Sequence, residues 1–270
     1  MRTLGIGSWV LGIALLASAC AARRIAIPTD QGAFLPDYAQ IHAQLSAACA
    51  GVRTMTAELG LSGRAGSQNL RGRVIAGFEQ PDSMRLEGVA PFGGPVFILA
   101  ARGAMATLWL PRDGRVVREP RASEILAALT GVRLAPGDLL AMLTGCVEPS
   151  PRATNGRRHA NGWASIDLEN ARLFLEPQEG PTTDNRQPTM WVLRVARSFD
   201  WQFEYTAWQG AFPQTVRLRA DDGSVDLAVT LSQIETNVPI DAAAFTVDVP
   251  PGTSELTVDE LRQAGPLRGQ

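Results

Sequence analysis

Two histidines and three cysteines are the side chains of this 270-residue chain best suited to metal or nucleophilic chemistry, and their spacing gives them little to act with. His42 falls in a helical pattern, and His159 in a polar stretch beside Arg157 and Arg158. Neither has a Cys or carboxylate at ligand spacing, so no metal site is expected. The chain has no G-x-S-x-G, no H-E-x-x-H, no P-loop and no G-x-G-x-x-G before a helix. Asp221 and Asp222 precede Gly223 between two strong strand patterns, which makes them turn residues. Arg85 and Glu87 lie on the polar side of an alternation and read as surface charges. The chain is therefore expected to be neither an enzyme nor a cofactor binder. Its function must come from where it is sent and from what its apolar faces enclose.

Composition narrows the remaining classes. Charged residues make up 19% of the chain and hydrophobic residues 45%, which excludes a disordered polyelectrolyte. The formal net charge is −2, without the cationic footprint that nucleic-acid binding requires. All 25 basic residues are Arg, a bias that no function needs.

The N-terminus sets the compartment. Met1-Arg2-Thr3 is a short charged start, and residues 4–16 form an apolar run too short to remain as a transmembrane helix. The run ends in Ala17-Ser18-Ala19-Cys20, which resembles the bacterial lipobox and would leave a lipidated Cys20 as the first mature residue. Ala17-Ser18-Ala19 also meets the ordinary A-x-A cleavage rule, so a soluble secreted product is the alternative. Ala21, rather than Asp, after the Cys favours the outer membrane. A triacylated Cys20 would anchor the chain stably, because each buried CH₂ contributes ~0.8 kcal/mol. Residues 21–36, with Arg, Pro and Gly, have the composition of a tether. Export to an oxidising compartment makes Cys49 and Cys146 a candidate disulfide, the alternative being two buried thiols.

Beyond the tether, 37–52 carries Tyr38, Ile41, Leu45 and Ala48 at helical spacing. The period then changes to two. Alternating runs at 54–61, 84–88, 216–219 and 225–232 join strand patterns at 70–79, 95–101, 105–110, 116–119, 163–168, 172–175, 190–197 and 201–206. About a dozen short strands with turns between them predict a barrel or sandwich. Two helices, 122–130 and 136–144, interrupt them, with Gly131 and Gly145 at their ends. Their leucines are too numerous for a solvated hairpin and must bury against the sheet. Segments 149–161 and 176–188 are polar and read as mobile insertions. No linker follows Pro36, so the mature chain is expected to be one domain.

One stretch breaks the surface rule. Residues 88–101 carry no charged or polar side chain, yet Pro91, Phe92 and Gly93 have turn composition. An aromatic at a Gly/Pro turn suits contact with a membrane or an acyl chain; folding back into the core is the alternative.

In order along the chain, these residues resemble the LolA/LolB superfamily. Arg85-Leu-Glu-Gly-Val-Ala-Pro-Phe-Gly93, Ala106-Thr-Leu-Trp-Leu-Pro-Arg-Asp-Gly114, Ala122-Ser-Glu-Ile-Leu-Ala-Ala-Leu-Thr-Gly131 and Leu139-Leu-Ala-Met-Leu-Thr-Gly145 are similar to the outer-membrane receptor LolB. Trp201-Gln-Phe-Glu-Tyr205 and Phe212-Pro213 extend that likeness. Ile240-Asp-Ala-Ala-Ala-Phe245 with Pro250-Pro251-Gly252 looks instead like the closing signature of the carrier LolA. The resemblance covers most of 38–252. It implies an incomplete, unclosed antiparallel β-barrel of about eleven strands, with an N-terminal helix and a helical lid on the open face. It also implies an apolar cavity for lipoprotein acyl chains, with Cys49–Cys146 fastening the lid to the N-terminal helix. The receptor's turn residue that aids delivery is Leu; here it is Phe92, with Pro91 and Gly93 beside it.

The expected organisation is a signal peptide at 1–19, a lipidated Cys20 and tether at 20–36, a half-barrel at 37–252 and a tail with a short helix at 253–270. Apolar faces nominate Met84, Leu86, Leu108, Leu110, Val216, Leu218, Leu227 and Val229 as cavity lining. Leu126, Leu129, Leu139 and Leu143 are the nominated lid residues. The expected function is an outer-membrane-anchored lipoprotein on the periplasmic face. It would receive acylated lipoprotein cargo from a periplasmic carrier and help insert it among outer-membrane lipids, without cofactor, metal or nucleic acid. The alternative is an envelope lipoprotein that binds a lipid, another hydrophobic ligand or a partner protein without inserting anything. A filled barrel and a hollow one need the same inward faces, so sequence leaves that choice open.

Overall fold

Period-two alternation dominates the chain, and the computed structural model turns it into one large unclosed sheet. The structure describes residues 24–66, 68–90, 94–119, 121–131, 133–147, 151–178, 190–210 and 212–264. In chain order the elements begin with β1 (Ala33–Phe34), α1 (Tyr38–Cys49), β2 (Thr54–Ala65), β3 (Gln68–Glu79), β4 (Ser83–Val89), β5 (Phe97–Arg102), β6 (Met105–Leu110) and β7 (Arg115–Glu119). The helices α2 (Ala122–Thr130) and α3 (Pro136–Thr144) follow. The second half contains β8 (Asn155–Arg158), β9 (Ala164–Asp167), β10 (Ala171–Gln178), β11 (Met190–Ser198), β12 (Trp201–Gln209), β13 (Phe212–Ala220) and β14 (Val225–Thr236). A 3₁₀ turn (Ala242–Phe245), β15 (Ser254–Glu255) and α4 (Val258–Ala264) close the chain.

The strand order is β1-β8-β9-β10-β11-β12-β13-β14-β2-β3-β4-β5-β6-β7-β15. All neighbours are antiparallel except β7 and β15, which run parallel. The expectation of about eleven strands is corrected to 15. Beyond the twelve strand patterns read along the sequence, the additions are β1, β8 and β15, each two to four residues long and so too short to display alternation. Segment 149–161, expected as a mobile insertion, contains β8, which extends the sheet because its backbone pairs with β1 and β9. Residues 176–178 belong to β10, and 179–189 lie outside the described residues.

Residues paired across strands share a face. Leu86, Leu99, Leu108 and Val117 form one such row from β4 to β7. Tyr205, Val216, Val229 and Leu61 form another from β12 to β2. These apolar rows meet Ile41 of α1, Ile125, Leu126 and Leu129 of α2, and Leu140 and Leu143 of α3 in one buried cluster. The helices therefore occupy the inner face of the curved sheet. A bulge helps to bend it: Gln233 in β14 adopts a positive φ of 52° where the register with β2 shifts.

Both chain ends run along the outer face. The C-terminal segment crosses β2–β5, where Thr54 Oγ1 donates to Val238 O at 2.8 Å and Arg85 donates to Ala244 O at 3.1 Å. It then delivers β15 to β7 and α4 to α2, with Leu261 buried in the main cluster. The N-terminal segment is held at Asp30, which lies 3.3 Å from His159 Nδ1 and accepts from the Ala160 N–H at 3.3 Å. His159 Nε2 lies 3.0 Å from Ser165 Oγ. Residues 24–36 thus run against the sheet before α1 begins.

Candidate functional site

The candidate site is the apolar inner face beneath α2 and α3. Its geometry starts with glycine. Gly88 pairs with Phe97, and a Cβ at Gly88 would stand 2.5 Å from the Phe97 ring. The missing side chain lets that ring lie flat on the strand and turn into the core. At the far end of the lid, Gly145 ends α3 with φ 67°, a conformation that glycine adopts without strain. A Cβ there would meet the Trp208 ring at 2.8 Å. The lid's C-terminus is thus seated on β12, beside Tyr205, whose ring centroid lies 6.3 Å from that of Trp208.

The structure brings nearly all the nominated residues together. Met84, Leu86, Leu108, Val216 and Val229 join Leu126, Leu129 and Leu143 of the lid in the buried cluster. Leu110, Leu227 and Leu139 pack against it, half-buried. Leu218 stands apart in a smaller cluster with Val225, bridged to the main one through Leu134 of the α2–α3 connection. Met84, Leu108 and Val216 keep 0% of their surface. Helix side chains therefore fill the space the strands enclose, and the site is closed in this structure. Surface hollows of about 580 Å³ around Phe34 and Arg158 and about 330 Å³ around Asp30 and His159 are lined by none of the nominated residues. Pro91, Phe92 and Gly93 lie outside the described residues, as does Cys20.

Cys49 at the end of α1 and Cys146 just beyond α3 meet sulfur to sulfur, with Cα atoms 5.4 Å apart, a separation that suits a disulfide. Sequence reasoning did not single out the buried Phe78 and Leu99, and the nominated lining left out Met55, Ile125 and Leu231, although the apolar faces read at 54–61, 122–130 and 225–232 carry them. It treated α1 as a separate helix, whereas Ile41 and Leu45 make it a third covering element.

Polar groups cluster elsewhere. Glu204, 3% exposed on the outer face, contacts Arg219 and accepts from Gln202 Nε2 at 2.8 Å. Arg217 donates to both oxygens of Asp226, at 2.6 and 2.7 Å. That hydrogen bonding, aided by the charges of Arg217, Arg219 and Arg24, outweighs burial and holds the Asp226 carboxyl below its usual range. Complete burial pushes the Tyr205 phenol up, and burial pushes His42 down. The Nε2 of His42 and the Nε1 of Trp208 are buried without protein partners. Among the described residues no cluster of His, Cys, Asp and Glu could hold a metal ion. Among the described residues, the arrangement beneath α2 and α3 is an apolar enclosure.

No protein-family model and no curated protein matches this chain. Among solved structures, a domain described as an outer-membrane lipoprotein-sorting protein from Vibrio parahaemolyticus is similar over 77% of this chain and 95% of that one, at 9% identity and a TM-score of 0.48. A LolA superfamily protein from Nitrosomonas europaea is similar over 77% of this chain and 98% of that one, at 8% identity and a TM-score of 0.50. Likeness at that identity speaks to the fold alone, and the fold of this chain is that of the LolA superfamily protein.

Proposed function

We propose that this protein is an envelope lipoprotein, anchored through an acylated Cys20 to the periplasmic face of the outer membrane, that receives lipoprotein acyl chains between its inner sheet face and the α2–α3 lid. A periplasmic carrier would hand over the cargo, and this protein would pass it to the outer membrane in the manner of a receptor. The observation that carries the reading is the continuous apolar cluster shared by an unclosed sheet and a pair of short helices packed on it. The fold likeness to a LolA superfamily protein supports it.

The energetics suit exchange without covalent chemistry. Lifting the lid exposes Ile125, Leu126, Leu129, Leu140 and Leu143, at roughly 25 cal/mol per Å² of apolar surface. An entering acyl chain offsets that with ~0.8 kcal/mol per buried CH₂. The two terms oppose each other with similar chemistry, so cargo can enter and leave.

The test is a transfer assay with a triacylated lipoprotein, a carrier and outer-membrane vesicles, alongside binding of a fluorescent acyl probe. Wild-type protein should bind the probe and deliver cargo, and Phe92→Glu should keep binding while losing delivery. Probe binding without delivery by the wild type would replace this reading with simple hydrophobic-ligand binding. Absence of both would sink it.

A further inference from the structure

Phe199 is the most exposed large apolar side chain described, at 85%. It sits at the turn between β11 and β12, and that turn is held in place. The Asp221 N–H donates to Asp200 O at 2.9 Å, and Arg197 pairs with Asp221 at 3.3 Å. The neighbouring β13–β14 turn is tied in turn to the end of β2, where the Gly66 N–H donates to Ser224 O at 2.6 Å. Phe199 is therefore presented outward by an ordered rim. The ends of β4 and β5, Val89 and Phe97, stand on the same side of the sheet, whereas the β5–β6 turn before Met105 stands on the opposite side.

The course of the N-terminal segment says what that rim faces. Asp30 is fixed beside His159, and the chain leads back from there to Arg24, whose charge reaches Asp226 at the start of β14. Asp226 is the second residue after the β13–β14 turn, on the rim that carries Phe199. Cys20 precedes Arg24 by four residues, a span of at most about 14 Å. A 12-residue strand such as β14 is about 40 Å long. An anchor at Cys20 thus keeps this rim near the bilayer and the Met105 rim far from it.

Resting on the reading that Cys20 is acylated, we infer that the rim formed by the β11–β12 and β13–β14 turns faces the bilayer, and that Phe199 inserts at the boundary between headgroups and acyl chains. The charges suit a largely zwitterionic surface. Asp200, Asp221, Asp222, Asp226 and Glu204 are balanced in number by Arg24, Arg64, Arg197, Arg217 and Arg219, so contact is apolar and only weakly salt-dependent.

The experiment uses the acylated full chain reconstituted into phosphatidylethanolamine–phosphatidylglycerol vesicles, with Phe199→Cys or Met105→Cys carrying an environment-sensitive fluorophore and labelled wild type as the blank. The label at 199 should shift to the blue and be quenched severalfold more by lipid-borne nitroxide than the label at 105, at low and high salt alike. Equal quenching at both positions overturns the inference, as does a water-like label at 199 on protein that floats with the vesicles. Failure to float overturns it together with the anchor. Acyl-probe binding by the same preparation reports on the cargo reading separately, so either can fail alone.

Discussion

Cys49 and Cys146 stand 97 residues apart in sequence and 5.4 Å apart at Cα, which brings the end of α1 within disulfide reach of the end of α3. Closing a loop of that size stabilises by roughly 4–5 kcal/mol in the chain-entropy model. Cys49→Ser, or treatment with reductant, should lower the denaturation midpoint accordingly. If the bridge also clamps the lid, uptake of an acyl probe should be faster in the variant. Non-reducing mass spectrometry checks the bond, and an unchanged midpoint would show that it contributes nothing.

Much of this architecture was legible in the sequence. The helices 122–130 and 136–144 lie where their leucine spacing and terminal glycines placed them, and the long strands follow their alternation. What escaped was whatever lacked a period. β8, with Asn155-Gly-Arg-Arg158, is polar and four residues long; it is a strand because its neighbours offer backbone partners, which no side-chain pattern records. The docking of residues 24–36 escaped for a related reason, since it depends on Asp30 meeting His159, 129 positions away. The cluster beneath the lid was largely legible because the same apolar faces that line it also drive folding. For that reason sequence could not say whether it is filled.

His42 links the covering helix α1 to pH. Burial lowers its pKa below the ordinary value near 6.5, so the folded imidazole stays neutral where the unfolded one takes up a proton. Between those two values the unfolded state binds more protons, and stability falls as pH drops below about 6.5. His42→Gln should flatten this part of the profile, measured as urea midpoints between neutral pH and mild acid. A slope unchanged by the substitution would assign it to other groups.

Glu204 and Arg219 form a buried ion pair on the outer face of β12 and β13, with side chains 3% and 10% exposed. Arg219→Met leaves the Glu204 carboxylate buried beside Gln202 without its cation, a situation that costs about 3–5 kcal/mol. Pairing it with Glu204→Leu should recover most of that loss. Equilibrium denaturation of the two single variants and the double variant gives the coupling, and purely additive losses would argue against a functional pair.

Leu143 tests the lid itself. It is 1% exposed on α3 and packs in the cluster formed with Met84, Leu108 and Val216. Leu143→Ala removes apolar contacts and leaves a space, at a cost of about 2–5 kcal/mol. In a barrel whose interior is only structural, that loss is the whole effect, and acyl-probe affinity stays unmeasurable. In a barrel whose helices stand where acyl chains enter, the variant has less lid packing to displace and a vacancy that methylenes can fill. Probe affinity should then rise while thermal stability falls. Calorimetric unfolding and fluorescence titration on one preparation separate the cases, because only the acyl-accepting interior moves the two quantities in opposite directions.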